Sequence, residues 1–286
     1  MAVGDVSGSL VVVATPIGNL ADISPRALEI LASADVVYCE DTRHTRQIFS
    51  AKGLGTSGRL RALHEHNEAS LCDVVVAAIR EGRTIALVSD AGTPGVSDPG
   101  ARVIAAVADA GLTVSTTPGP SAVIGALSVS GLPMERFCFE GFIPRKAGDR
   151  SSLFRTWRSE KRTIVAYESP QRLATTLREM CDVLGDRPAV VVRELTKMHE
   201  EVLRGTVQSL AEHFDAHDAR GEIVLIVGGD VSVQVRDDDD IRAALADELE
   251  RGVSVRDAAA AVASALDVPH RRTYELALSL RRGEPV

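Results

Sequence analysis

The chain has 286 residues, of which 45% are hydrophobic, 3% aromatic and 25% charged. That length predicts about two domains of roughly 150 residues each, with apolar content sufficient for real cores. A net charge of −8 excludes a globally basic nucleic-acid binder and leaves room for a local basic surface. Cys39, Cys72, Cys138 and Cys181 form no CxxC pair, so neither a zinc ribbon nor a disulfide framework is indicated, and buried thiols are expected. Asp5, and the lack of Lys or Arg before the apolar run from Leu10, argue against a signal peptide. No apolar run approaches the roughly 18 residues of a membrane span, so the expectation is a cytoplasmic protein without membrane contact.

In chain order, strands are predicted at Leu10–Ala14, Val36–Cys39, Thr84–Val88 and Leu112–Thr116. They alternate with helices at Pro25–Ala32, Thr42–Ala51, Glu68–Glu81 and Pro99–Ala110, and a further helix runs from Ser121 to near Gly131. Near-continuous Val/Ile/Leu strands between helices mean a mainly parallel sheet covered on both faces. Gly131-Leu132-Pro133 reads as a boundary. Strands then follow at Arg136–Gly141, Arg162–Glu168, Ala189–Glu194, Glu201–Val207 and Glu222–Gly228, with helices at Arg150–Ser159, Gln171–Leu184 and Val207–His217. Consecutive strands near 190–207 predict a hairpin and a mixed sheet. Asp237 to Asp240 read as a solvated linker. Beyond them, a helix capped by Ser254 and another opened by Asp267-Val268-Pro269 have the outline of a helix-turn-helix. The fold class is therefore α/β, with two α/β domains (1–132 and 133–232) and a linker with a helical tail (233–286).

Three dense turns each follow a buried strand and precede a helix. They are Ala14-Thr15-Pro16-Ile17-Gly18-Asn19-Leu20, Ser89-Asp90-Ala91-Gly92-Thr93-Pro94 with its continuation to Gly100, and Thr117-Pro118-Gly119-Pro120-Ser121-Ala122. Such turns gather at the carboxyl edge of a parallel sheet, where open α/β sheets bind ligands. There is no GxGxxG and no Walker A, which disfavours dinucleotide and P-loop chemistry. In Glu40-Asp41-Thr42-Arg43-His44-Thr45-Arg46 the acids suit a helix N-terminus, while Arg43 and Arg46 suit phosphates. His64-Glu65-His66-Asn67-Glu68 lacks metal-ligand spacing and is read as a polar catalytic or RNA-facing loop, with no metal site. Arg145, Lys146, Arg150, Arg155, Arg158, Lys161 and Arg162 face only Asp149 and Glu160, a phosphate-binding strip of local charge +5.

These blocks, with Glu140-Gly141-Phe142-Ile143-Pro144-Arg145-Lys146, resemble the signatures of the ribosomal RNA small subunit methyltransferase I family, in the tetrapyrrole methylase superfamily. The resemblance runs from about Leu10 to Gly229 and is weak in the tail. It implies a class III methyltransferase fold with S-adenosylmethionine between two domains. It also implies 2′-O-methylation of a cytidine in the decoding region of 16S ribosomal RNA, and a homodimer. Carried over residue by residue, it assigns Pro16, Gly18, Asp90, Gly92, Thr93, Ser121, Ala122, Tyr167, Leu203 and Glu222 to the cofactor.

The chemistry expected is in-line attack of the 2′-oxygen on the sulfonium methyl, needing positioning and one base. Candidate bases are Glu65, His64, His66 and Asp41, unranked. Arg43 is a clamp rather than a base, because its guanidinium stays charged. Arg46, Arg145, Lys146 and Arg150 are the expected RNA contacts. The RNA partner is the free ribosomal RNA or the assembled small subunit. The rival readings are a tetrapyrrole C-methyltransferase, and a nucleic-acid-binding regulator that senses S-adenosylmethionine.

Overall fold

The computed structural model describes residues 8–56, 58–231, 238–266 and 268–282. The chain divides into two units, Met1–Asp230 and Val231–Val286. Among the described residues no helix is long and apolar enough to cross a membrane.

The first sheet of the larger unit holds β1 (Ser9–Val13), β2 (Val36–Cys39), β3 (Leu60–Ala62), β4 (Thr84–Val88) and β5 (Thr113–Thr117). All five run parallel, in the order β3-β2-β4-β1-β5. Alternate side chains bury on opposite faces, as the two-residue strand period requires. Val11, Val13, Val37, Ala86 and Val88 pack under α1 (Pro25–Ser33) and α2 (Thr42–Ala51). Leu10, Tyr38, Ile85 and Leu87 pack under α3 (Glu68–Arg80) and α4 (Ala101–Asp109). Strand β3 has only one buried residue, Leu60, and carries no readable period in the sequence.

Local chemistry sets the helix ends. Ser24 caps α1 through Ala27 N–H, with Pro25 in the first turn. Glu68, itself buried, accepts N–H bonds from Gly100 (3.0 Å) and Arg102 (2.7 Å), so a carboxylate from α3 caps α4. Helix α5 (Ala122–Ser130) starts at Ser121, which caps Ile124 N–H, and stops at left-handed Gly131.

The second sheet orders β6 (Phe137–Phe142), β7 (Thr163–Glu168), β10 (Ile223–Val227), β8 (Pro188–Arg193) and β9 (Glu201–Thr206) as β6-β7-β10-β8-β9. Only β6 and β7 pair in parallel, and β8 and β9 form the expected hairpin. Helices α6 (Ala147–Trp157), α7 (Leu173–Leu184) and α8 (Val207–Ala216) close one face over Phe154, Trp157, Leu177 and Leu225. The other face is covered by α5, whose Val123, Ala126 and Leu127 pack on Val165, Val190, Val192, Val224 and Ile226. A helix from the first half of the chain therefore belongs to the second sheet. The two sheets lie on either side of Gly131-Leu132-Pro133 within one unit.

The smaller unit corrects the linker reading. Asp238, Asp239 and Asp240 form the first turn of α9 (Asp238–Glu250), where the helix dipole favours negative charge. Asp237 lies outside the described residues. Helices α10 (Val255–Leu266) and α11 (His270–Arg282) pack with α9 around Ile241, Leu245, Ala258, Val262 and Leu276. The tail is thus three helices rather than two. Ser254 caps α10 through Asp257 N–H as expected, whereas Asp267 lies outside the described residues.

Candidate active site

The three turns converge. Thr15 and Gly92 exchange backbone hydrogen bonds of 2.8 and 3.0 Å, linking the loops that leave β1 and β4. Thr93 Oγ1 donates to Pro120 O (3.4 Å), linking the β4 and β5 loops. Gly119 approaches so closely that a Cβ there would lie 3.0 Å from Ala14 Cβ.

Above these turns is a cavity of about 360 Å³. The first-sheet loops contribute Ile17, Ala91 to Thr93, Val96 to Asp98, Ser121 and Ala122. Across from them stand Phe142, Tyr167, Val192, Leu195 and Glu222 to Val224 of the second sheet. Two non-glycine residues with positive φ, Glu194 (49°) and Thr196 (67°), flank Leu195 on this wall. Such backbone strain persists only where surrounding contacts impose it, and here they are visible. Glu194 Oε1 accepts from Glu222 N and from Lys197 Nζ (2.9 Å each), and Lys197 also pairs with Glu222 (3.0 Å).

Among the expected cofactor residues, Gly92, Thr93, Ser121, Ala122, Tyr167 and Glu222 line the cavity. Four do not. Pro16 is buried and does not line it. Gly18 lies against the loop after β8, where a Cβ would meet Lys197 Cγ at 2.5 Å and Thr196 Oγ1 at 2.8 Å. Asp90 turns aside to accept Asp41 N–H at 3.0 Å. Leu203 pairs in register with Val191 and packs on the α7–α8 side, one residue out of phase with Val202, which faces α5.

The expected catalytic residues stand apart from the cavity wall. His64, Glu65 and His66 form an exposed turn beside β2, fixed by Leu63 N–Cys39 O (2.8 Å) and His64 N–Asn67 Oδ1 (2.8 Å). The two imidazoles meet edge to face at 6.0 Å. Asp41 caps α2 through Arg43 N (2.7 Å) and grips the Arg43 guanidinium at 2.6 Å, which holds its carboxyl down to about 2. Among the described residues no His, Cys, Asp or Glu group is arranged to hold a metal.

Of the expected RNA contacts, Arg46, Arg145 and Lys146 are exposed. Arg150 is a correction. Its side chain is 7% exposed and binds Glu179 through two bonds of 2.5 and 2.6 Å, while also donating to the carbonyls of Pro144 and Arg145. A guanidinium so enclosed braces the 144–146 segment and has no surface left for a phosphate.

Sequence reasoning passed over Asp98 as a site residue. It lies on the wall behind Ser97, whose φ is +64°. Burial, and then the charge of Glu40, push its carboxyl up to about 6. Glu40 is itself raised by burial and then by the charge of Asp90. Tyr167, across the cavity, is pushed up to about 12 by burial and then by Asp98. The Asp-Pro-Gly turn at 98–100 was visible in the sequence, but desolvation of its acid was not.

The family model for tetrapyrrole (corrin/porphyrin) methylases matches residues 9–211. A protein named ribosomal RNA small subunit methyltransferase I from Mycobacterium tuberculosis (strain CDC 1551 / Oshkosh) is 44% identical over 278 residues, 96% of each chain. One of the same name from Escherichia coli O157:H7 is 44% identical over 225 residues, 78% of each chain. The chain belongs to the ribosomal RNA small subunit methyltransferase I family. Solved structures share its fold. The methyltransferase CobJ matches with a TM-score of 0.56 at 20% identity, covering 78% of this chain and 95% of that one. Uroporphyrin-III-C-methyltransferase from Thermus thermophilus matches with a TM-score of 0.54 at 21% identity, covering 77% and 94%. In this methyltransferase the family match spans all of the first sheet and reaches α8, so both cavity walls lie largely within it.

Proposed function

We propose that the chain carries methyl groups from S-adenosylmethionine to the 2′-hydroxyl of a cytidine in the decoding region of 16S ribosomal RNA. One observation carries the reading. A ligand-sized cavity sits at the carboxyl edge of a parallel sheet, in a chain aligned nearly end to end with proteins named for small-subunit ribosomal RNA.

The residues present fit the cofactor. The cavity volume lies within the ordinary range of roughly 300–1,000 Å³ for small-molecule sites. Its wall is mainly apolar, which suits an adenosine. Gly92, Thr93, Ser121, Ala122, Tyr167 and Glu222 would hold it. When bound, it supplies a methyl group already activated by positive sulfur.

The chain must orient the acceptor hydroxyl and take its proton. Asp98 is the group that suits this task. A base works best with a pKa near the operating pH, and positioned bases contribute about 10²–10⁴-fold. Asp98 lines the cavity, whereas Asp41, His64, Glu65 and His66 do not, and burial raises the Asp98 carboxyl to about 6. Leu195, held between Glu194 and Thr196, contributes an apolar side chain to the cavity wall. RNA approaches over Arg46, Arg145 and Lys146. The protein acts as a homodimer in the cytoplasm, on free ribosomal RNA or the assembled subunit.

The test is methyl transfer from labelled S-adenosylmethionine to purified small subunits lacking the modification, followed by nucleoside analysis. A 2′-O-methylated cytidine is the expected product. Binding of S-adenosylhomocysteine without transfer to subunits or naked ribosomal RNA would overturn the substrate assignment.

A further inference from the structure

We infer that Phe142 is a stacking platform for a nucleobase of the acceptor RNA, with Arg145 and Lys146 placed to hold the adjoining phosphates. The inference rests on the RNA reading above and adds the residues that grip the strand.

The chain holds six phenylalanines, and Phe49, Phe154 and Phe214 are buried. Phe142 is 62% exposed, although it lines the cavity. Backbone geometry puts it there. Along β6, Phe139 pairs with Val165 and Phe142 with Tyr167, so three steps on one strand match two on the other. The extra residue is a β-bulge, and Gly141 within it adopts φ +69°. In a regular strand residues 139 and 142 would point to opposite faces. The bulge turns them to the same side, and bulges near sites commonly re-aim a side chain in this way. Both rings then meet Tyr167, at centroid distances of 5.0 and 5.1 Å. Tyr167 braces Phe142 from within and leaves much of the ring open at the cavity mouth.

The segment that follows is held rigid. Ile143 is buried, and its N–H bonds Tyr167 O at 3.0 Å. Arg172 donates to Ile143 O (3.2 Å), and Arg150 donates to Pro144 O (3.3 Å) and Arg145 O (3.1 Å). Glu168 and Glu179 balance those two guanidinium groups. Three and four residues beyond the ring, Arg145 and Lys146 project into solvent. A braced aromatic with two nearby cations is what single-stranded RNA requires: one group for the base face, the others for its phosphates.

The experiment uses the full chain and a single-stranded RNA oligonucleotide containing cytidine. Phe142→Leu is expected to weaken RNA binding about tenfold, within the range seen when a stacking aromatic is removed. It should weaken S-adenosylhomocysteine binding by a much smaller factor than RNA binding, since the ring only rims the cavity, and should leave the sedimentation coefficient unchanged. Phe142→Trp should retain RNA affinity and show fluorescence quenching as RNA is added, since the one native tryptophan, Trp157, is buried. Unchanged RNA affinity in Phe142→Leu overturns the platform. A loss of S-adenosylhomocysteine affinity as large as the loss of RNA affinity would assign the ring to the cofactor, and an altered association state would assign it to a second copy of the chain. Should the wild-type protein bind RNA and Phe142→Trp be quenched by it, while the wild type methylates no RNA, the functional reading fails and the platform stands.

Discussion

Asp98→Asn should make the protein more stable while disabling it. Burial and the Glu40 charge raise the Asp98 carboxyl from 3.8 to about 6. At 1.36 kcal/mol per unit, the ionised side chain costs the folded state about 3 kcal/mol once both folded and unfolded forms are ionised. A raised acid pKa means that the folded state holds the proton longer. Stability is therefore lost as pH climbs from about 4 to about 6, and the penalty is constant above that. Asparagine has the same shape and no charge. At pH 8 the variant should gain about 3 kcal/mol, and at pH 5 about half as much, because there the wild type is still mostly protonated when folded. Urea unfolding followed by Trp157 fluorescence reads the larger unit, and a rise in midpoint at constant slope isolates the effect. Methyl transfer should fall by about 10²-fold or more, with S-adenosylhomocysteine still bound. An equal midpoint for the two proteins at pH 8, or a gap that does not narrow at pH 5, would refute the argument.

Other substitutions probe the supports of the site. Glu68→Ala removes the cap on Gly100 and Arg102, and should cost about 1–2 kcal/mol in urea unfolding, with Glu68→Gln losing less. Arg150→Met leaves Glu179 and two carbonyls without their donor and should cost about 2–4 kcal/mol. Arg145→Ala should alter stability by less than about 0.5 kcal/mol yet reduce the salt slope of RNA binding by about 1. If the two arginines exchange these phenotypes, the assignment of brace and contact is wrong. Gly18→Ala drives a Cβ into Lys197 and Thr196, and a loss of about 1–3 kcal/mol is expected, seen as a lower melting temperature.

Much of this molecule was written along the chain. Apolar strand runs separated by helical stretches gave the parallel first sheet and the mixed second one. Ser121, Ser254 and Gly131 marked helix ends, because capping is local chemistry. The three Gly-Pro-rich turns pointed to the cavity, since a parallel sheet brings consecutive carboxyl ends to one edge. What the chain could not say depends on partners distant in sequence. Helix α5 is apolar on every side, so nothing in its pattern chose the second sheet over the first. Arg150 read as a surface cation until Glu179, 29 residues away, was seen to enclose it. Leu203 missed the cavity by one step of register. Asp98 looked like any acid in a turn. Its basicity comes from the water removed around it and from Glu40, and only the folded chain brings either about.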